Sequence, residues 1–261
     1  MFLLLTTSIL NDAAIANLHR LNASLLTQNF PIYHVILTQN PDSYQPPILE
    51  EADNYTIDYI SSDTMMSLSS ARNIMLKHCL DNGIFEKVSY VAFPDDDCWY
   101  TEDFLLTISS ELANSGFVFT KYSSIPQKLV ETDYKEAGYR DVVRQASSNT
   151  IFIAKEIVME VGLFDERLGV GAEFNGGEDL DFALRAYVLT RKASFLDKHC
   201  VGHRDKIDDL KAKYFQGSYI ALGKQKFKAF GIFFQFLRKL MIGIYLIVFS
   251  TLTFKKLLVV K

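Results

Sequence analysis

Val88-Ser89-Tyr90-Val91-Ala92-Phe93-Pro94-Asp95-Asp96-Asp97 is the stretch whose reading decides the fold. Val88 to Phe93 is a short apolar run rich in β-branched and aromatic residues, the pattern of a buried strand. The three aspartates then emerge at the carboxyl end of that strand, the edge where open α/β sheets bind ligands. Adjacent carboxylates repel one another, and a hard divalent cation with oxygen ligands relieves that repulsion and can hold phosphates in turn. Taken alone, the triplet is equally readable as an acidic turn capping the next helix, since aspartate is common in both places.

The segments on either side argue for a layered α/β chain. Phe2 to Ser8 reads as a first strand, and Asn11-Asp12 as the cap of a helix with Ala14, Ile15, Leu18, Leu21 and Leu25 on one face. Ile32 to Thr38 and Thr56 to Ile60 read as strands, with a turn at Gln39-Asn40-Pro41-Asp42 and a loop at Pro46-Pro47 between them. Ser67 to Leu80 reads as a helix leading into the aspartate strand. This alternation predicts a mainly parallel sheet flanked by helices. Beyond the aspartates, a helix over 102–112, strands at 116–120 and 149–154, and a helix over 155–161 ending at Gly162 follow. Residues 121–147 are polar and read as an irregular or partly helical excursion. Gly169, Gly171, Gly176 and Gly177 predict a loop before a helix from Asp179 to Tyr187, and Ala193 to Leu196 reads as a last strand.

Composition limits the class. With 49% hydrophobic and 22% charged residues in 261, the chain has the makings of a folded core and not of a disordered protein. Its net charge of −4 conceals an asymmetry: 15 basic and 28 acidic residues lie before residue 204, against 12 and 3 from there on. An acidic body with a basic, apolar tail points to an anionic surface, which we take as a membrane and not a nucleic acid. Cys79, Cys98 and Cys200 lack metal-ligand spacing and read as free thiols. Met1 to Leu5 lacks a positively charged flank and reads as strand, not signal peptide.

In the tail, Leu240 to Phe254 carries no charge, with Arg238-Lys239 before it and Lys255-Lys256 after. As a helix it would span roughly 22 Å, short of the roughly 30 Å hydrocarbon core, which predicts an interfacial or re-entrant anchor. A terminal helix packed on the domain is the plainer alternative.

A second acidic knot, Gly177-Glu178-Asp179, opens a helix after two glycines. Glycines let the backbone approach a ligand, and a carboxylate at that junction can take a proton from an incoming hydroxyl. Glu178 would orient Asp179 or touch the acceptor; an ordinary acidic helix start is the plain alternative. His203, just past the last strand, can reach a metal or diphosphate because strand ends converge on one rim. Arg72-Asn73 would touch nucleobase or diphosphate, or else simply face solvent.

These motifs in this order resemble the inverting nucleotide-sugar glycosyltransferases of family 2, which have the GT-A fold. The resemblance runs over about residues 1–205. Ser67 to Asn73 is similar to the family's Ala-Arg-Asn helix, Asp95-Asp96-Asp97 to its DxD motif, Val161-Gly162-Leu163-Phe164-Asp165-Glu166 to its Gly-x-Phe-Asp-Glu segment, and Glu178-Asp179 to its Glu-Asp helix start. The resemblance implies a nucleotide-binding half at 1–97, an acceptor half at 98–205 and a membrane-associating tail at 206–261. It implies donor binding by Thr7, Ser8, Arg72, Asn73, Asp95 and Asp96, and Mg²⁺ or Mn²⁺ on Asp97, Asp95 and His203. Asp179, assisted by Glu178, would be the base. The expected partners are a nucleoside diphosphate-sugar, UDP-sugar favoured, and a glycan or lipid-linked acceptor at the inner membrane face. A silent binding protein of the same fold, or a sugar nucleotidyltransferase, are the alternatives; the second would carry a Gly-rich basic phosphate loop near the first strand, where there is none. The chain departs from the family at Thr6-Thr7-Ser8-Ile9-Leu10-Asn11, where a Pro-Thr-x-Asn-like turn is usual. It departs again at Thr38-Gln39-Asn40, where an aspartate often reads the base.

Overall fold

The computed structural model describes residues 1–40, 44–130, 132–190, 192–205 and 213–248. The predicted turn at Pro41-Asp42 and the end of the apolar tail, with Lys255-Lys256, lie outside these residues.

The first half is built as its patterning dictates. Strand β1 (Phe2–Ile9) is followed by α1 (Asp12–Leu25), whose Asn11 side chain caps the helix by accepting from the Ala14 amide at 2.9 Å. Then come β2 (Ile32–Gln39), β3 (Tyr55–Ser62), α2 (Leu68–Asp81) capped by Ser67, a short α3 (Ile84–Lys87), and β4 (Tyr90–Ala92). The four strands pair in parallel in the order β3-β2-β1-β4. Phe2, Leu3, Leu4 and Leu5 are all inaccessible. Leu3 and Leu5 pack on one face of the sheet with Ala71 and Met75 of α2, and Phe2 and Leu4 on the other with Leu21 and Leu25 of α1. A strand buried on both faces needs apolar residues at every position, which is why β1 reads as a continuous run.

The second half continues the same sheet with mixed polarity. It comprises β5 (Trp99–Tyr100), α4 (Phe104–Ser115), β6 (Phe117–Ser123), β7 (Tyr134–Glu136), α5 (Tyr139–Gln145), β8 (Ile151–Ala154), α6 (Lys155–Val161), α7 (Glu178–Thr190) and β9 (Ser194–Gly202). β8 lies antiparallel between β4 and β6, β9 runs parallel to β6, and β5 and β7 pair antiparallel with β9. The parallel expectation therefore describes β1 to β4, and the whole is a mixed α/β sheet covered by helices. The excursion at 121–147 contains the end of β6, then β7 and α5. β9 runs to Gly202, well past the predicted Leu196, because its pairing with β6 resumes at His199 after an irregularity around Asp197 and Lys198.

The segment after residue 212 is two helices, α8 (Phe215–Gln225) and α9 (Phe230–Val248). α8 is integral to the domain: Phe215, Ala221 and Leu222 are buried. Its Gly217 lies so close to the loop before α7 that an added Cβ would stand 1.9 Å from the carbonyl oxygen of Gly176. Gly176 and Gly177 themselves have φ of 80° and 88°, the left-handed region that glycine enters freely. The close backbone contact thus fixes the loop from which α7 starts. α9 buries Ile232, Phe236 and Gly243 and leaves an outward stripe of Phe230, Phe234, Leu237, Met241, Ile244 and Val248.

Candidate active site

The carboxyl ends of β1 and β4 adjoin where strand order reverses, and the aspartates leave β4 at that point. The Ser8 hydroxyl donates to Asp96 at 2.6 Å, and the Cys98 amide donates back to the Asp95 carbonyl at 3.1 Å, closing a tight turn. Burial pushes the Asp96 carboxyl up to about 6, partly offset by Ser8 and reinforced by its two neighbouring aspartates. Thr7 lies half-buried next to Ser8, in register with Leu37.

β5 joins this turn to the far end of the sheet. Trp99 pairs with Gly202, so the residue after β9, His203, arrives beside the aspartates. Its Nε2 lies 3.1 Å from Asp97 and 3.6 Å from Asp95, and Arg204 is 3.5 Å from Asp97. His203 Nδ1 is 2.9 Å from the Arg204 carbonyl, which accepts from it, and Nε2 is buried without a well-directed hydrogen bond. Burial lowers the His203 pKa, but the two carboxylates outweigh it and bring the ring to about 9. Burial raises Asp97, and the close approach of His203 with the charges of His203, Arg204 and Arg20 reverses this, leaving it below its ordinary value.

Ligand atoms of Asp95, Asp97, Cys98 and His203 lie within 4.8 Å of one another. The set fits a hard divalent ion through its two carboxylates and one imidazole. A cation would displace the Nε2 proton and leave Nδ1 anchored on a carbonyl, the usual arrangement of a metal-ligating histidine. Cys98, read from the sequence only as a free thiol, is fully buried, and burial and the neighbouring aspartates hold its thiol well above the usual range, so it stays protonated.

The second acidic knot faces the first across a single arginine. Arg72, 2% exposed, donates to Asp179 at 2.7 Å and lies 3.5 Å from Asp95. Its cationic form is favoured because Asp179, Asp95 and Glu178 outweigh desolvation. The other oxygen of Asp179 accepts from the Ser148 amide at 2.9 Å. Glu178 is buried, its Oε2 has no hydrogen-bond partner, and burial with the charge of Asp179 pushes it up to about 7. Asn73 turns away from this cluster: its amide donates to the Phe164 carbonyl and to Glu166, and its oxygen accepts from the Phe164 amide. It joins α2 to the 164–166 segment. Asp165 of that segment binds Arg167 and Lys224, which hold its carboxyl below the usual range.

Asp95, Glu178, Asp179 and His203 line one cleft of about 480 Å³, closed by Ser147, Ser148 and Asn149 and by Tyr214, Ser218 and Lys239 from the helices after residue 212. This is a carboxylate-rich cavity with one end whose side chains could hold a cation and a separately held carboxylate.

Residues 9–156, more than half of the chain, match the family model of glycosyl transferase family 2, and the chain belongs to that family. Its fold is of the GT-A type. It is similar to residues 1–349 of S. aureus TarS in complex with UDP-GlcNAc, with a TM-score of 0.61 and 15% identity over 87% of this chain and 66% of that one. It is likewise similar to a longer S. aureus TarS chain, at TM-score 0.64 and 16% identity over 91% of this chain and 43% of that one. GalNAc-T7 with UDP, GalNAc and Mn²⁺ is similar at TM-score 0.54 and 12% identity, over 85% and 47% of the two chains. The chain thus spans just under two thirds of the shorter TarS chain and less than half of the longer one. No curated protein sequence matches it.

Proposed function

We propose that the chain is an inverting glycosyltransferase that takes a nucleoside diphosphate-sugar, a UDP-sugar in preference, and transfers the sugar to a hydroxyl of a glycan or lipid-linked acceptor. What carries this reading is that Asp95 and His203 line one cleft with Asp179, with Asp97 3.1 Å from His203 beside them. A Mg²⁺ or Mn²⁺ ion on Asp97, Asp95 and His203 would supply charge neutralisation for the departing diphosphate. The similarity to structures titled with UDP-GlcNAc and with UDP and Mn²⁺ supports the donor class.

Asp179 then takes the proton of the acceptor hydroxyl. The bond from the acceptor oxygen to the anomeric carbon forms as the bond from that carbon to the diphosphate oxygen breaks. The leaving group keeps the electron pair, and a single displacement inverts the carbon. Arg72 and the Ser148 amide hold Asp179 in position for this. Ser8 and Asp96 belong to the donor side, and Arg72 faces both sides.

α9 supports a place on the membrane surface. It is the one helix among the described residues long and apolar enough to cross a bilayer, with 19 residues and mean hydropathy 1.7. It carries Arg238-Lys239 at its middle and packs one face on the domain, which favours lying on the surface. Lys226, Lys228 and Arg238 beside the exposed stripe suit anionic lipid head groups. Assembly of a cell-surface polysaccharide at the inner leaflet is the setting this implies.

The test compares wild type with Asp179→Asn. Both are expected to bind UDP with Mn²⁺, while turnover of a nucleotide-sugar falls about 10²- to 10⁴-fold in the variant, the range of a lost general base. Equal turnover would remove Asp179 from its role.

A further inference from the structure

Lys239 occupies a place where the sequence pattern of its helix calls for an apolar residue. Ile232, Phe236, Lys239 and Gly243 recur at helical spacing along the face of α9 that packs on the domain, and Ile232, Phe236 and Gly243 are buried. The lysine reaches from this face into the cleft that Glu178 and Asp179 line. The other cations around that cleft have carboxylates: Arg72 has Asp179 and Asp95, and His203 and Arg204 have Asp97. Lys239 has no carboxylate within ion-pair distance among the described residues. Its Nζ lies 4.6 Å from the centre of the Phe215 ring, and burial, with Arg238 beside it, brings the amine down to about 8. An ammonium partly withdrawn from water without a counter-charge is costly, and the face of one aromatic ring offsets only part of that. An arriving anion would supply the rest.

The position of the lysine indicates which substrate brings the anion. The helix that carries Lys239 packs on α5 and α8, and α8 packs in turn on α7, which opens with Glu178 and Asp179; Lys239 therefore belongs to the wall of the cleft built around Asp179. The donor diphosphate is assigned to the Asp95, Asp97 and His203 end. We propose that Lys239 binds an oxyanion of phosphate type on the acceptor and thereby sets the acceptor hydroxyl beside Asp179. The role given to Lys239 presupposes the glycosyltransferase reading and Asp179 as its base. A cleft with four carboxylates repels an anionic acceptor unless a cation meets it, and Lys239 is the cation free to do so.

The experiment titrates the full chain, loaded with UDP and Mn²⁺, with glycerol phosphate and with glycerol by calorimetry. Wild type is expected to bind glycerol phosphate and not glycerol. Lys239→Met, which suits the apolar face, should bind it about tenfold more weakly or worse, the loss expected for one charge-assisted hydrogen bond. Lys239→Arg should restore binding, and the UDP affinity of Lys239→Met should match wild type. Equal binding of glycerol phosphate by wild type and Lys239→Met overturns the proposal, as does its failure to bind wild type. Parallel loss of UDP binding would place the lysine on the donor or in the fold, and also overturns it. Vesicles of phosphatidylglycerol separate the two sources of phosphate. Unchanged partitioning of Lys239→Met supports an acceptor phosphate, whereas a fall in partitioning with glycerol phosphate binding intact assigns the lysine to bilayer head groups and overturns the proposal. Asp179→Asn removes one of the repelling carboxylates and should bind glycerol phosphate at least as tightly as wild type; if that variant still transfers sugar, the base assignment fails while the Lys239 result stands.

Discussion

His34 and His203 are both almost inaccessible, at 1% and 7% exposure, yet their surroundings drive them in opposite directions. His34 lies inside the β1–β2 sheet between two hydroxyls, Nε2 2.8 Å from Thr6 and Nδ1 2.9 Å from Tyr55, with no carboxylate bonded to it. Burial alone pushes it down to about 3. His203 is buried too, but two aspartates face its Nε2 and raise it to about 9. Burial by itself makes a histidine a neutral structural residue. A ring left facing clustered carboxylates with one nitrogen unbonded marks the place where the fold has gathered negative charge for a cation. The same contrast separates the two groups of aspartates. Asp95 and Asp97 come from one turn and meet arginines only at 3.5 Å, Arg72 and Arg204, while facing His203, whereas Asp179 holds Arg72 at 2.7 Å and accepts from the Ser148 amide.

The largest effect on this contrast is expected from Arg72→Met, which removes the one side chain between the two carboxylate groups. Removing one partner of a buried pair leaves charge uncompensated, and with Asp95 and Asp179 partly exposed the loss should be about 3 kcal/mol in urea unfolding. A loss below about 1 kcal/mol would mean that water already screens the cluster.

Near neutral pH a smaller effect, one that grows as the pH falls, is expected from His34→Gln. The folded value of His34 is depressed, so between its ordinary value near 6.5 and about 3 the unfolded chain binds a proton that the folded chain refuses. Stability contributed above pH 6.5 is therefore lost as pH falls through this window, by up to about 1.4 kcal/mol per pH unit. The variant should unfold with a flatter pH dependence over that window. An unchanged slope would show that His34 is not the residue responsible.

The smallest effect on stability is expected from Phe234→Ser with Met241→Ser, since both residues lie on the exposed stripe of α9. The unfolding free energy should stay within about 0.5 kcal/mol, as for surface positions generally. Partitioning to phosphatidylglycerol vesicles should fall. Retained partitioning would detach the stripe from the membrane reading.

The parts legible in the sequence are those whose signals are local. β1 and β2 declare themselves by unbroken apolar runs, α1 and α2 by Asn11 and Ser67 before periodic faces, and the start of α7 by Gly176-Gly177. What escaped is long-range. β5 is two residues long, below any periodicity, yet its pairing with β9 is what delivers His203 to Asp97. Arg72 and Asn73 are neighbours on one helix, and only the packed fold sends Arg72 to Asp179, 107 positions on, and Asn73 to Phe164, 91 positions on. α8 carried no motif, and its place in the cleft wall follows from the contact of Gly217 with Gly176. A run of apolar residues in the tail suggests membrane, while the half-buried Lys239 becomes informative only beside Phe215 and the cleft.

The most direct test of the cleft is UDP binding by calorimetry, with and without Mn²⁺, in wild type and in Asp97→Ala. Wild type should bind UDP more tightly when Mn²⁺ is present. Asp97→Ala should lose at least about 100-fold of that gain, because loss of a ligand exceeds the 10–100-fold typical of outer partners. Equal Mn²⁺-dependent affinity in the two proteins would contradict the assignment of Asp95, Asp97 and His203 as the cation-binding end.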